Sequence, residues 1–171
     1  FNQMFPYEDK LFVAGWGDML RDYDISNPGH PFYLGDWDRP CEPDPNDPNV
    51  PLCYFGWGIK VVGDRAYISE GSEKTKGIYI VDVSNPSSPT EVSRMELAEG
   101  PGGIAARGSY LYFGYNHYGS VPAANYFSFR VANISDETNP QTISVLNLTS
   151  IGSVGDIVLR GEIDESVKEN L

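Results

Sequence analysis

The chain has 171 residues, enough for one domain with a sizeable core, and a net charge of −12. That charge excludes nucleic-acid binding and adhesion to anionic lipid, both of which need a basic surface, while leaving divalent cations and cationic partners open. Its 18 Gly, 13 Pro, 11 Tyr, 8 Phe and 3 Trp favour many short strands and tight turns, and no apolar run is long enough to predict a membrane-spanning helix.

The chain opens on Phe1 and shows no signal peptide, so it is read as a mature, processed or trimmed chain. Residues 1–36 form a first repeat-like unit, with KLFVAG followed by LRDYDISNPGHPFYLG. Within it, Asp22 stands where later units carry Ile80 and Val131. A carboxylate on an apolar strand face is costly unless paired or hydrated. The expectation is an edge strand with Asp22 facing water; the alternative is a ligand or ion site near the axis of the repeat array.

Residues 37–56 interrupt the repeats as an acidic, Pro-rich insertion. Cys41 and Cys53 bracket CEPDPNDPNVPLC, which predicts a local disulfide and an oxidising compartment, the alternative being two free thiols. Asp44 and Asp47 are candidate calcium ligands among several oxygen-bearing side chains. Against that stand Pro43, Pro45, Pro48 and Pro51, which stiffen the segment, and the lack of EF-hand spacing. A solvated acidic insertion is the favoured reading.

Residues 57–98 form the second unit and 99–149 the third. GIKVVGDRAYIS aligns without gaps on GGIAARGSYLYFG from Ile59 and Ile104 onward. In both, Gly with Asp or Ser separates two short apolar runs, a tight-hairpin signal because Gly tolerates positive φ. Downstream, Asp24, Asp82 and Asn133 each begin a Ser- and Pro-bearing turn, whose short polar side chains accept backbone N–H bonds. Each unit thus reads strand, tight turn, strand, variable loop, strand, turn, strand. Four short antiparallel strands per unit is the period of a propeller blade. GPGG at 100–103 leads into a strand and is read as the link between units two and three. Residues 150–171 hold the opening of a fourth unit and an acidic tail.

The segments IYIVDVSNPSSP, DYDISNPGHP and VANISDETNP resemble the LVIVD-repeat β-propellers, over about residues 8–160. That resemblance implies an all-β propeller fold and a secreted or cell-surface setting, and it carries no activity. Three units and a fraction are too few to close a ring of four to eight blades. The expected architecture is therefore part of a larger propeller, the alternatives being an assembly completed by other chains and an open three-blade arc, which is disfavoured because its exposed edges invite aggregation.

Function is expected where the pattern breaks. The loop between second and third strands grows from GWGDM to SEGSEKTK to YNHYGSVPAAN. Loops on a rigid scaffold commonly carry binding. Trp16, Tyr115, His117 and Tyr118 are candidate ligand contacts, and Trp37, Trp57 and Tyr126 could extend the same aromatic surface. Asn133 and Asn147 begin glycosylation sequons, although Asn133 also occupies the turn position of the repeat. No zinc spacing, nucleophile elbow, P-loop or dinucleotide fingerprint is present. The leading expectation is a non-enzymatic extracytoplasmic scaffold, extracellular, cell-surface or periplasmic, that recognises a protein or glycan. The alternatives are a structural subunit of an extracellular filament or surface layer, and a propeller hydrolase or lyase whose remaining blades lie outside this sequence.

Overall fold

The computed structural model describes residues 3–15, 19–44, 47–71, 76–117 and 126–148, together with Ile157 and Leu159. Every element among them is a strand. Sheet 1 holds β1 (Gln3–Tyr7), β2 (Lys10–Ala14), β3 (Leu20–Asp24) and β4 (Phe32–Trp37). A two-stranded hairpin follows, β5 (Glu42–Asp44) and β6 (Asp47–Leu52). Sheet 2 comprises β7 (Gly56–Val62), β8 (Arg65–Gly71), β9 (Lys76–Asp82) and β10 (Thr90–Glu96). Sheet 3 comprises β11 (Ile104–Arg107), β12 (Tyr110–His117), β13 (Tyr126–Asn133) and β14 (Gln141–Leu148). Each of the three sheets is a four-stranded antiparallel meander in chain order, which is the form of a propeller-like blade. The described residues form no closed ring.

The turns recur because their residues do. Gly63 and Gly108 take φ of +56° between the first two strands of sheets 2 and 3. At the matching place in sheet 1, Glu8 is forced to φ of 52°. At the end of each third strand, an Asx side chain caps the backbone two residues on: Ser26 N–H donates to Asp24, Ser84 N–H to Asp82 and Ser135 N–H to Asn133, at 2.7, 2.9 and 2.8 Å. A second Asx turn follows at once, with Gly29, Ser87 and Thr138 N–H groups donating to Asn27, Asn85 and Asp136. The turn is tied to its own sheet by Ile25, Val83 and Ile134 N–H groups, which donate to the carbonyls of Asp9, Asp64 and Ser109.

The sheets stack face to face. Phe12, Ala14, Met19 and Leu20 of sheet 1 bury against Ile59, Val61, Ile68, Tyr79 and Val81 of sheet 2. The other face of sheet 2, with Tyr67, Ile78, Ile80 and Met95, buries against Ile104, Leu111, Phe113 and Ala132 of sheet 3. Ile78 through Val81 are all buried, so β9 reads as a continuous apolar run, both its faces being covered. The first strands β1, β7 and β11 lie side by side and form the inner edge of the stack.

Each turn docks on the sheet before it. The Ser93 hydroxyl of sheet 2 donates to the Glu137 carbonyl in the sheet 3 turn. One sheet earlier the matching position is Gly35, where an added Cβ would lie 2.5 Å from the Pro86 carbonyl oxygen. Glycine is required there because the sheet 2 turn presses its backbone onto the strand.

Two expectations need correction. Asp22 does not face water; it is 0% exposed in the layer between sheets 1 and 2. Nor does it line the axis, since β3 is the third strand out from β1. Trp37 is not part of a binding surface either: its ring packs on Tyr79 of sheet 2 at 5.3 Å, in the inter-sheet core. The fourth unit, with Ile151, Val154, Gly155 and Asp156, and the acidic tail lie outside the described residues.

Candidate functional site

The connections between second and third strands leave the blades on the edge where the inter-sheet links cross. Gly102 N–H donates to the Gly114 carbonyl at 2.8 Å, and Gly56 N–H to the Gly15 carbonyl at 3.2 Å. The Gly100 backbone sits against Gly71, close enough that a Cβ on Gly100 would come within 2.8 Å of the Gly71 Cα. GPGG is thus the blade-to-blade link, and the missing side chain of Gly100 lets two backbones meet.

Here β7 carries a bulge. Gly56 pairs with Glu70 and Gly58 with Ser69, leaving Trp57 unpaired between them. A bulge re-aims the extra residue, and Trp57 is turned outward, 46% exposed. Its indole lies over Gly71, where a Cβ would come within 2.7 Å of Nε1. Phe55 meets it edge-on at 6.0 Å between ring centres. An aromatic pair therefore stands at the root of the 72–75 connection on a glycine floor. Such a surface offers a flat apolar face, suited to a sugar ring or an apolar side chain.

The other candidates divide. Trp16 and Tyr118 lie outside the described residues, as do the side chains of Tyr115, His117 and Tyr126; the backbone of Tyr115, His117 and Tyr126 belongs to β12 and β13. Cys41 and Cys53 form a disulfide that closes the β5–β6 hairpin. Asp47 accepts from both the backbone and side-chain nitrogens of Asn49, at 3.0 and 3.1 Å. Its carboxylate thus caps the hairpin, and among the described residues no group of three His, Cys, Asp or Glu could hold a metal ion. Asn133 is held by its turn bond to Ser135. The side-chain Oδ1 of Asn147 accepts from the Ser128 hydroxyl at 2.7 Å.

Asp22 is the chemically strained group. Neither carboxylate oxygen has a hydrogen-bond partner. Burial pushes its pKa up to about 7, Lys10 opposing and Asp36 adding to the rise. Glu70 and Ser128, also fully buried polar residues, were not visible as such in the sequence, because charge on a strand carries no sign of which face a neighbouring sheet covers.

On the opposite edge, a crevice of about 560 Å3 lies where the sheet 3 turn meets sheet 2, lined by Arg65, Tyr67, Ser109, Asp136 and Glu137 among others. Arg65 bridges Asp82 of its own sheet at 2.8 Å and Glu137 of the next at 2.7 Å. Tyr67 donates to Glu137 at 3.4 Å, and burial pushes its hydroxyl up to about 12. Glu137 holds the Arg65 guanidinium in its charged form, above its ordinary value. The crevice is an inter-sheet joint whose polar groups are engaged with one another.

No curated protein matches the chain. The family model of the LVIVD repeat matches residues 7–38 and 56–96, which hold β2 to β4 of sheet 1 and all of sheet 2. Sheet 3 keeps the strand order and turn bonds but carries Asn133, Asp136 and Glu137 where sheet 2 has Asp82, Asn85 and Pro86. Strands, turns and family match agree: those two stretches are LVIVD repeats, which are β-propeller-type repeats.

Proposed function

We propose that the protein is a non-enzymatic binding module that takes a protein or glycan on the edge carrying the connections between second and third strands. The observation that carries this is Trp57, lifted out of β7 by a bulge and set with Phe55 over Gly71 beside those connections. A large exposed indole on a rigid floor, at the root of connections that differ in length from blade to blade, is the usual make-up of a recognition surface. The Cys41–Cys53 disulfide fits an extracytoplasmic setting, since such bonds persist in oxidising compartments.

The test is an oligosaccharide array probed with the wild-type chain and with Trp57→Ala. Binding that falls at least about tenfold in the variant, with an unchanged melting curve, supports the reading. Binding that Trp57→Ala leaves intact removes this edge as the site. A silent array with the wild type directs the surface to a protein partner instead. A second reading, a structural subunit of an extracellular assembly, is favoured by the apolar residues exposed on sheet 3, among them Ile143 and Leu146.

A further inference from the structure

The two junctions between sheets are built from the same parts, with one part moved. In each, a carbonyl of the turn after the third strand presses onto the outer strand of the preceding sheet: Glu137 onto sheet 2 and Pro86 onto sheet 1. On sheet 2 the seat is Ser93, whose hydroxyl donates to the Glu137 carbonyl. On sheet 1 the seat is Gly35, which has no side chain to donate. Both seats directly follow the irregularity in their outer strand, and they have different partners across the ladder. Ser93 lies opposite Ile80, whereas Gly35 lies opposite Asp22. The polar side chain has moved from the outer strand in one junction to the third strand in the other.

Directly opposite residues of an antiparallel pair share a face, their Cβ atoms about 4.5–5.5 Å apart. The Pro86 carbonyl oxygen lies 2.5 Å from where a Gly35 Cβ would stand. Asp22 therefore stands on the face, and across from the position, where that oxygen arrives. The place is closed to water: Asp22 and Gly35 are both buried, and neither carboxylate oxygen has a hydrogen-bond partner. An ionised carboxylate only accepts, as a carbonyl does, whereas a protonated carboxyl carries one O–H donor. Lys10 of β2 and Asp36 of β4 act on Asp22 through their charges, in opposite directions, burial being the larger influence. On the face of sheet 2 toward sheet 1, register places Glu70, Tyr79, Glu91 and Arg94. Tyr79 accepts from Arg39 of the linking segment, while Arg94 lies over the Tyr79 ring and reaches Glu96. None of these groups is a hydrogen-bond partner of Asp22.

We infer that Asp22 is a proton-operated latch on the junction between sheets 1 and 2. With a proton taken from water, its carboxyl donates to the Pro86 carbonyl, the role that the Ser93 hydroxyl plays one junction on. When the proton returns to water, two acceptors face each other and the turn is released from Gly35. The Ser93 hydroxyl keeps its donor at every pH, so the junction between sheets 2 and 3 stays closed while the first one answers to pH. Burial sets the changeover near pH 7.

The amide nitrogen chemical shift of Ser87, which shares a peptide bond with the Pro86 carbonyl, reads this hydrogen bond. Thr138, which follows Glu137, is the internal control. On raising the pH from about 5 to about 9, Ser87 is expected to pass through one transition near pH 7 while Thr138 holds still. Asp22→Asn, whose amide donates at every pH, is expected to hold Ser87 at its low-pH shift. Asp22→Val, which has no donor, is expected to hold it toward the high-pH shift. A flat Ser87 in the wild type overturns the proposal, as does a transition that survives in Asp22→Asn. Equal shifts in the two variants would also overturn it, since Asp22 would then act through buried charge alone and not through a donated bond.

Discussion

Glu8 takes φ of 52° at the position where Gly63 and Gly108 take 56°. A residue with a Cβ is strained there, and only glycine adopts that region freely. Glu8→Gly is therefore expected to stabilise the protein by about 0.5–1 kcal/mol, seen as a higher denaturation midpoint with an unchanged slope. The larger strain is at Asp22. Its carboxyl is raised from 3.8 to about 7 by burial between sheets 1 and 2. A raised carboxyl pKa means the protonated form suits the fold. Its stability is fully present below about pH 4, falls as the pH climbs, and has gone by about pH 7, an expected loss of about 4 kcal/mol. Asp22→Val, which installs the side chain that sheet 3 carries at this position, is expected to flatten that slope and raise the melting temperature most at neutral pH. Denaturant titrations of both proteins between pH 4 and 8 check it; parallel curves would count against the buried carboxyl as the cause. Asp24, Asp82 and Asp136 shift the other way, downward, through their turn hydrogen bonds to Ser26, Ser84 and Thr138. Their contribution is lost only as the pH falls below about 4, so the two effects occupy separate windows.

At the scale of the element, the Ser-Asn-Pro turn does two jobs with one sequence. Its Asx side chains close it locally, and its second half presses onto the preceding sheet. The turn bonds were legible from the sequence because they join residues two apart. The docking was not, since it joins Ser93 to Glu137 and Arg65 to Glu137, far apart in the chain. In the sheet 3 turn, Glu137 replaces the proline of sheet 2, and the crossing ion pair with Arg65 comes with it. Both side chains keep more than a quarter of their surface in water, at 28% and 29%. A double-mutant cycle on Arg65→Met and Glu137→Gln is accordingly expected to give a coupling of about 0.5–1 kcal/mol that shrinks with added salt. A coupling near zero at low salt would mean the turn is held by its backbone contact alone. The β5–β6 hairpin shows the same division. Its bracketing cysteines predicted the bridge, but the pairing of Pro43 with Pro51 across two strands was hidden, because proline-rich sequence argues against a ladder.

For the molecule as a whole, the repeat determined the architecture. The spacing of Gly, Asx and Pro marked every turn, and apolar strand runs of similar length marked every blade, so the all-β stack of four-stranded units follows from sequence alone. These signals are local: each depends on a backbone preference or on neighbours a few residues away. What the tertiary structure alone decided is which face of each blade another blade covers. That choice buried Asp22 and Glu70, drew Trp37 into the core, turned Trp57 outward and left Leu146 and Met4 in water. Strand sequence fixes two faces but does not say what lies against either one. Burial, and with it the shifted carboxyl and the aromatic platform, exists only once the sheets have stacked.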